Sequence, residues 1–342
     1  MRDNNNKWLL LTSAAALALG TAAIASADTL DDTRERGAVQ CGVSDGLPGF
    51  SAPDDQGEWQ GLDVDICRAV AAAVFGDSEA VRYISLNAVE RFTALQSGEV
   101  DVLSRNTTWT TTRDTTLGLN FTGVTFYDGI GFMINKDLGV SSAKELDGAA
   151  ICVQSGTTTE LNVADYFRAN GMEFDPIVFD TSEQTVGGYE AGRCDVLTSD
   201  TSQLAALRIQ LSDPDQSVIL PEIISKEPLG PVVRQGDDKW FNIVKWSLFA
   251  MLNAEEMGIT SDNVDEMLES DNPDVARLLG RDGNYGEAMG LEADWAYNII
   301  KQVGNYGESY DRNVGMSSPL EIERGVNALW TEGGIQYAPP IR

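Results

Sequence analysis

The sequence predicts an α/β fold of two lobes joined by a two-stranded hinge, with an extra helical C-terminal region. Three observations carry that expectation. Strand-like and helix-like segments alternate over 39–103, a second alternating set runs over 134–224, and two extended segments, 126–135 and 224–233, bracket the second set. A length of 342 residues fits two lobes at roughly 150 residues each. The apolar share of 42% with 8% aromatics is enough for a full core, which excludes a disordered acidic tail.

Residues 39–43 read as the first strand, and the helix from Asp63 places Ile66, Ala69, Val70, Ala73 and Val74 on one face, with polar residues opposite. A strand over 81–84 follows. Asn87 and Glu90 then stand at the cap and third positions of a helix that closes at Gly98, and 100–103 is a strand. In the second set, 142–148 reads as a short capped helix and 150–154 as a strand. A helix over 159–170 turns Leu161, Ala164 and Phe167 inward. Strand 177–179, helix 184–191 and strand 194–198 come next, before a helix over 202–211 with Leu204, Leu207 and Leu211 on one side. This set is the size of a small domain inserted into a larger one. Beyond Pro228 and Pro231, the residues Trp240, Val244, Leu248 and Met251 mark a long amphipathic helix that stops near Gly258. The remainder reads as helices, with Asn272 and Ser318 as caps before proline and a capping box from Ser318 to Glu321. The expected division is 28–132 for the first part of lobe one, 133–226 for lobe two, and 227–342 for the return to lobe one and the C-terminal extension. Side by side, the bracketing segments make a bending element with ligand held in the cleft.

Lys plus Arg number 24 against 53 Asp plus Glu, a net charge of −29, and there is no histidine. That absence removes His triads, His metal sites and His general bases. A surface this acidic, with no basic run, makes nucleic acid and anionic membrane unsuitable partners. Arg2 and Lys7 precede the apolar run 8–19, which leads to Ala25-Ser26-Ala27, the pattern of a secretory signal cut after Ala27. The apolar core is short for a bilayer of about 30 Å, and no cysteine stands at the cut to carry a lipid. Four cysteines, Cys41, Cys67, Cys152 and Cys194, form no C-x-x-C pair, so in an exported chain they suggest disulfides and no metal cage. Closeness in sequence favours Cys41 with Cys67 and Cys152 with Cys194 over the two crossed pairings. Each bridge then closes a loop within one lobe and contributes about 2 to 4 kcal/mol.

Turns after strands supply the candidate chemistry. The segment 104–113 offers hydroxyls, free backbone N–H groups and the Arg113 guanidinium, a set suited to a carboxylate. Ser155-Gly156-Thr157-Thr158 follows a strand and opens a helix, so it also suits an anion. Asp200 follows a strand at the cleft-facing edge of an open sheet and can pair with an ammonium. An α-amino acid is a zwitterion, and burying it is costly unless both charges are met. Arg113 can grip the carboxylate with two parallel N–H bonds while Asp200 takes the amino group. On spacing alone, a solvated arginine and a helix-capping aspartate remain open.

Gly61-Leu62-Asp63-Val64-Asp65, Ala94-Leu95-Gln96-Ser97-Gly98-Glu99-Val100-Asp101, Thr110 through Arg113, Gln154 through Thr158 and Gly192-Arg193-Cys194-Asp195-Val196 appear in that order. In this they resemble the motifs of polar amino-acid-binding proteins of ABC transporters, solute-binding protein family 3. Gly42-Val43-Ser44 with Gly46-Leu47-Pro48-Gly49-Phe50, the run from Ser104 to Trp109, and Lys226 through Pro231 look like the general L-amino-acid-binding subfamily, which has a longer C-terminal region. The resemblance implies a type II periplasmic-binding-protein fold and a soluble, monomeric periplasmic receptor without cofactor or catalysis. Such a receptor binds a free L-amino acid, with broad or polar, acidic or amide preference, and delivers it to an ABC permease. It also implies that Arg113 and the Thr108 region hold the α-carboxylate with help from Thr158, and that the Asn106 carbonyl and Asp200 hold the α-ammonium. Phe50 and Leu47 fall where the family often sets an aromatic against the ligand side chain, although the turn here reads Leu-Pro-Gly-Phe. Arg105 and Trp109 are further pocket candidates, with Arg105 placed to meet an acidic or amide side chain if it points inward. The alternative is a periplasmic dehydratase-type enzyme on the same fold, which needs a carboxylic acid of raised pKa such as Glu160 or Glu183. A sensor domain or ligand trap is a third reading, signalled by a fused kinase or membrane helix.

Overall fold

The computed structural model describes residues 28–342, so the expected leader lies outside the described residues. Two five-stranded sheets form the lobes. The first runs in the order Val81–Ser85, Val39–Val43, Val102–Leu103, Val232–Arg234, Leu119–Phe121. Its first three strands are parallel, and Val232–Arg234 enters antiparallel to both neighbours after the chain has visited the other lobe. The second sheet runs Asp175–Phe179, Ala150–Gln154, Val196–Asp200, Ile130–Asn135, Ser217–Ile219. Between the sheets, Phe126–Asp128 pairs antiparallel with Glu227–Leu229, setting Asp128 opposite Glu227 and Phe126 opposite Leu229. This ribbon is the two-stranded hinge.

The helix Leu62–Phe75 shows how the first lobe is supported. Its entry requires Gly61, at φ 134°, because a Cβ there would lie 2.1 Å from the Phe50 carbonyl oxygen. The apolar stripe packs on the sheet as its spacing predicts, yet the opposite face is not solvated. Helices Asp238–Glu256, Trp295–Val303 and Tyr306–Asn313 pack on it, and Asp65 is buried along with the alanines. Asp65 is compensated there by the hydroxyl of Ser309, the amide of Asn313 and the guanidinium of Arg312.

Three expectations need correction. The helix Thr158–Ala169 buries Thr159, Val163 and Phe167, whereas Leu161 is 69% exposed. The aromatic cluster of Phe132, Tyr166, Phe167 and Phe174 sets the helix rotation, and Leu161 loses the competition for the core. Residues 142–148 form only a single 3-10 turn, Ala143–Glu145, capped by Ser142; Leu146 turns into the core and the Gly148 N–H is taken by the Glu173 carbonyl at 2.8 Å. Ser318 to Glu321 opens no helix. Glu321 sits at φ 48°, and Ile322 donates to the Val314 carbonyl at 2.9 Å, which turns the chain back on itself. The capping box of this region is instead Asn305 with Glu308, opening Tyr306–Asn313.

Disulfides join Cys41 to Cys67 and Cys152 to Cys194, each inside one lobe, the pairing that sequence proximity favours. Among the described residues no helix is long and apolar enough to cross a membrane.

Candidate functional site

The strand Val102–Leu103 runs into the loop 104–109, whose shape is set by a buried carboxylate beneath it. Asp63 accepts from the Asn106 N–H at 2.7 Å and from the Ser104 hydroxyl at 3.4 Å, and Asn106 takes a positive φ of 30°. Burial outweighs these bonds and the nearby Arg105, and pushes the Asp63 carboxyl up to about 6. Beyond the loop, Thr110 caps the helix Thr111–Thr116 and aims Arg113 inward. Arg113 is 7% exposed; its Nη1 donates to the Thr108 carbonyl at 2.9 Å and its guanidinium lies 5.1 Å over the Phe92 ring. Burial lowers its pKa to about 10, against the pull of Glu227 and Asp200.

Asp200 ends the strand Val196–Asp200 and is 5% exposed. It occupies the N-cap position of Thr201–Arg208, but its side chain makes no capping bond, and Oδ1 has no hydrogen-bond partner among the described residues. The helix-cap explanation therefore fails for this residue. Burial, together with the neighbouring carboxylates of Asp128 and Glu227, drives its pKa well above the usual range; Arg113 and Arg91 oppose that rise. Arg113 and Asp200, which come from different lobes, are thus close enough to bias each other's ionisation.

The lobes meet around this pair. Thr108 Oγ1 lies 3.4 Å from Thr158 Oγ1, Asn106 Nδ2 donates to Gln203 Oε1 at 3.3 Å, and Thr158 donates to the hinge carboxylate Glu227 at 2.8 Å. Gly156 approaches the first lobe so closely that a Cβ would stand 3.1 Å from Val89. The cleft is closed.

Of the sequence-selected residues, Arg113, Asn106, Thr108, Thr158 and Asp200 converge here. Arg105 points inward: it is buried, its Nε donates to the Leu86 carbonyl at 2.7 Å, and Nη2 lies 3.7 Å from Asp45. Phe50 and Leu47 are instead buried in the first-lobe core. Phe50 lies edge-on to Phe126, which stacks on Tyr310 of the C-terminal region, so packing alone accounts for its burial. Trp109 departs from the set as well: its ring stacks on Phe121 and borders a different cavity beside the hinge. The reason is strand alternation, which turns Trp109 to the opposite side from Thr108.

Sequence reasoning missed Arg91. It is 3% exposed, stacks on Phe92 at 4.9 Å, and reaches only the Thr107 hydroxyl at 3.4 Å, while its Nε has no partner among the described residues. Burial and the like charges of Arg113 and Arg105 lower its pKa, and Asp200 pulls the other way. A signal was present: Arg91, Ala94 and Leu95 form the buried stripe of Arg91–Ser97, so an arginine occupies an apolar-face position. Gln203, bonded to Ser199 and Ser182, was also missed. Among the described residues no group of acidic or cysteine side chains could hold a metal ion.

Comparison with known proteins finds relatives along nearly the whole chain. Residues 39–262 match the family described as bacterial extracellular solute-binding proteins, family 3. The general L-amino acid-binding periplasmic protein AapJ of Rhizobium johnstonii is 62% identical over 331 residues, covering 96% of this chain and 97% of AapJ. The glutamate/glutamine/aspartate/asparagine-binding protein BztA of Rhodobacter capsulatus is 55% identical over 328 residues, covering 96% and 97% respectively. Among solved structures, an ABC transporter periplasmic binding protein from Brucella ovis with glutathione bound is 59% identical, with a TM-score of 0.91, and covers 92% of this chain and 100% of that one.

Proposed function

We propose that this chain, which belongs to family 3 of the bacterial extracellular solute-binding proteins, is a receptor that closes its two lobes on a free L-amino acid and presents it to the permease of an ABC transporter. The observation that carries this reading is a pair of buried charges brought by different lobes to the junction where Thr108 meets Thr158: the Arg113 guanidinium, and the Asp200 carboxylate, whose Oδ1 has no partner among the described residues. A zwitterion answers both charges at once, and each lobe supplies one of them, so ligand favours the closed form. In this reading Arg113, Thr108 and Thr158 hold the α-carboxylate, while Asp200 and the Asn106 carbonyl hold the α-ammonium. Arg91 and Arg105 face the side chain and favour an acidic or amide group. Residues 28–132 and 227–342 move as one body and 133–226 as the other. Export through the leader 1–27 and action as a monomer in the periplasm complete the proposal.

Turnover has no support from the alternative's candidate acids. Glu160 and Glu183 are both exposed in the first turns of their helices, where neither is desolvated as a general acid at neutral pH requires. The names of AapJ and BztA favour binding. The glutathione-bound relative favours a second ligand class, because a γ-glutamyl group carries the same α-ammonium and α-carboxylate. A thermal-shift screen of the twenty amino acids and glutathione, followed by calorimetry, tests the proposal. A saturating ligand at a hundred times its Kd should add about 2.7 kcal/mol of stability. Glutamate, glutamine, aspartate or asparagine should lead the ranking; a response to glutathione alone selects the second class, and a flat screen removes both.

A further inference from the structure

The hinge ribbon has two faces, and only one belongs to the cleft. Thr108 and Glu227 reach Thr158 on the cleft side. Successive residues of an extended chain point to opposite faces, so Trp109 and Pro228 look the other way, as does Tyr127, which pairs with Pro228. That far face borders a cavity of about 1000 Å³, whose lining also takes in Asp128 and Glu227 at the end of the ribbon. Its walls come from both moving bodies: Ile223 from the second lobe, Val326 and Ile335 from the C-terminal region. These large apolar side chains are 56%, 54% and 52% exposed, respectively.

The C-terminal wall is tied to the first-lobe end of the hinge. Asn327 Oδ1 accepts from the Tyr127 N–H at 2.7 Å, and its Nδ2 donates to the Tyr127 carbonyl at 3.1 Å. Tyr306 donates to the Thr125 carbonyl at 2.7 Å and Gln336 to the Val124 carbonyl at 3.2 Å. Side chains of the extension therefore occupy the free edge of Phe126–Asp128 and hold it as far as Tyr127. Two residues on, Gly129 lies so near Ile223 that a Cβ would stand 2.2 Å from its Cγ2.

A ribbon that bends to open one face closes the other. Parting Thr108 from Thr158 swings the second lobe back, and the far cavity narrows. We propose that the C-terminal region is an apolar stop for lobe opening: in the open form Ile223 lands on Val326 and Ile335, and burial of that surface holds the ligand-free protein open. Ligand then closes the lobes against this contact, so surface distant from the ligand site sets affinity through the open-to-closed balance. The inference goes beyond the ligand reading and needs only that the lobes move.

Ile223→Asp and Val326→Asp in the full chain test it, each read by small-angle scattering without ligand and by calorimetry with the best ligand of the screen. Both side chains are half exposed, so both variants should keep wild-type circular dichroism. In each, the ligand-free protein should become more compact, and affinity should tighten by about 3- to 10-fold. Ligand-free scattering unchanged in both variants, or shifted toward a more extended form, overturns the proposal. The scattering arm uses no ligand, so an error about the ligand leaves it decisive.

Discussion

The first lobe buries three guanidiniums, Arg91, Arg105 and Arg113, whereas the second buries the carboxylate Asp200 along with the hydroxyl of Ser202. The two halves are also prepared differently. In the first lobe the Phe92 ring lies beneath both Arg91 and Arg113, and backbone carbonyls of Thr108 and Leu86 accept from Arg113 and Arg105. Behind them the Leu62–Phe75 helix packs between the sheet and further helices, and its Asp63 is buried beneath the binding loop. The second lobe leaves Asp200 near two other carboxylates, with one oxygen unpartnered among the described residues. The contrast teaches that, in the proposed reading, the first-lobe charges are held by their own lobe, whereas an ionised Asp200 is unfavourable until a cation reaches it.

Removing the prepared half should have the largest effect. Arg113→Ala strips the first-lobe charge that faces Asp200; loss of a buried partner costs about 3 to 5 kcal/mol, so binding should fall by at least a hundredfold with the fold intact. Unchanged calorimetric affinity would move the carboxylate grip elsewhere. Asp200→Asn attacks the other half and should weaken all α-amino acids by a similar factor, about 2 to 3 kcal/mol. Its pH signature is independent of that loss. Because the Asp200 pKa is raised, protonation on acidification sets in at a higher pH than for an ordinary carboxylate, and a neutral acid cannot pair with an ammonium. Wild-type affinity should therefore fall as pH drops through the raised pKa, and the asparagine variant should lose that dependence; matching pH profiles would refute the assignment.

Arg91→Gln sharpens the comparison within the first lobe. Ligands with acidic side chains should lose about 10- to 100-fold while neutral ones change little, as roughly 1.5 to 3 kcal/mol for a charged hydrogen bond requires. An equal loss for every ligand would place Arg91 on the backbone carboxylate instead. The smallest effect on binding is expected at Asp63. With a folded pKa of about 6 against an ordinary 3.8, the folded state holds more proton than the unfolded between those values, so this group makes stability decline as pH rises across that window. The deficit at neutral pH is about 3 kcal/mol. Asp63→Asn keeps an acceptor for the Asn106 N–H and should flatten the melting temperature against pH; a curve parallel to wild type would show that Asp63 is not desolvated.

Residues 39–43, 150–154 and the helix from 202, which ends at Arg208 and short of the expected 211, are readable because strand alternation and leucine spacing are local properties. The same locality explains why Arg113, Asp200 and Thr158 stood out: each follows a strand or opens a helix, and the chemistry of such turns depends on few neighbours. Leu161 failed because helix rotation is decided by competition with Phe132 and Phe174, which are remote in sequence. Phe50 and Trp109 failed because proximity to a binding loop does not settle which face a ring takes. Arg91 escaped notice because its charge suggested solvent, although its position lay in an apolar stripe.

By itself the sequence determined the alternation of elements, the two lobes with their connecting strands, the cysteine pairs by proximity, and the residue types at the cleft edge. Those follow from periodicity and from chemistry that acts over a few residues. Only the tertiary structure decided that Asp63 and Asp65 are buried, that Asp200 caps no helix, that Arg91 joins the cleft, and that the C-terminal region grips one edge of the hinge. Each of these depends on desolvation by segments far away in the chain, and burial is a property of the assembled molecule that no local pattern encodes.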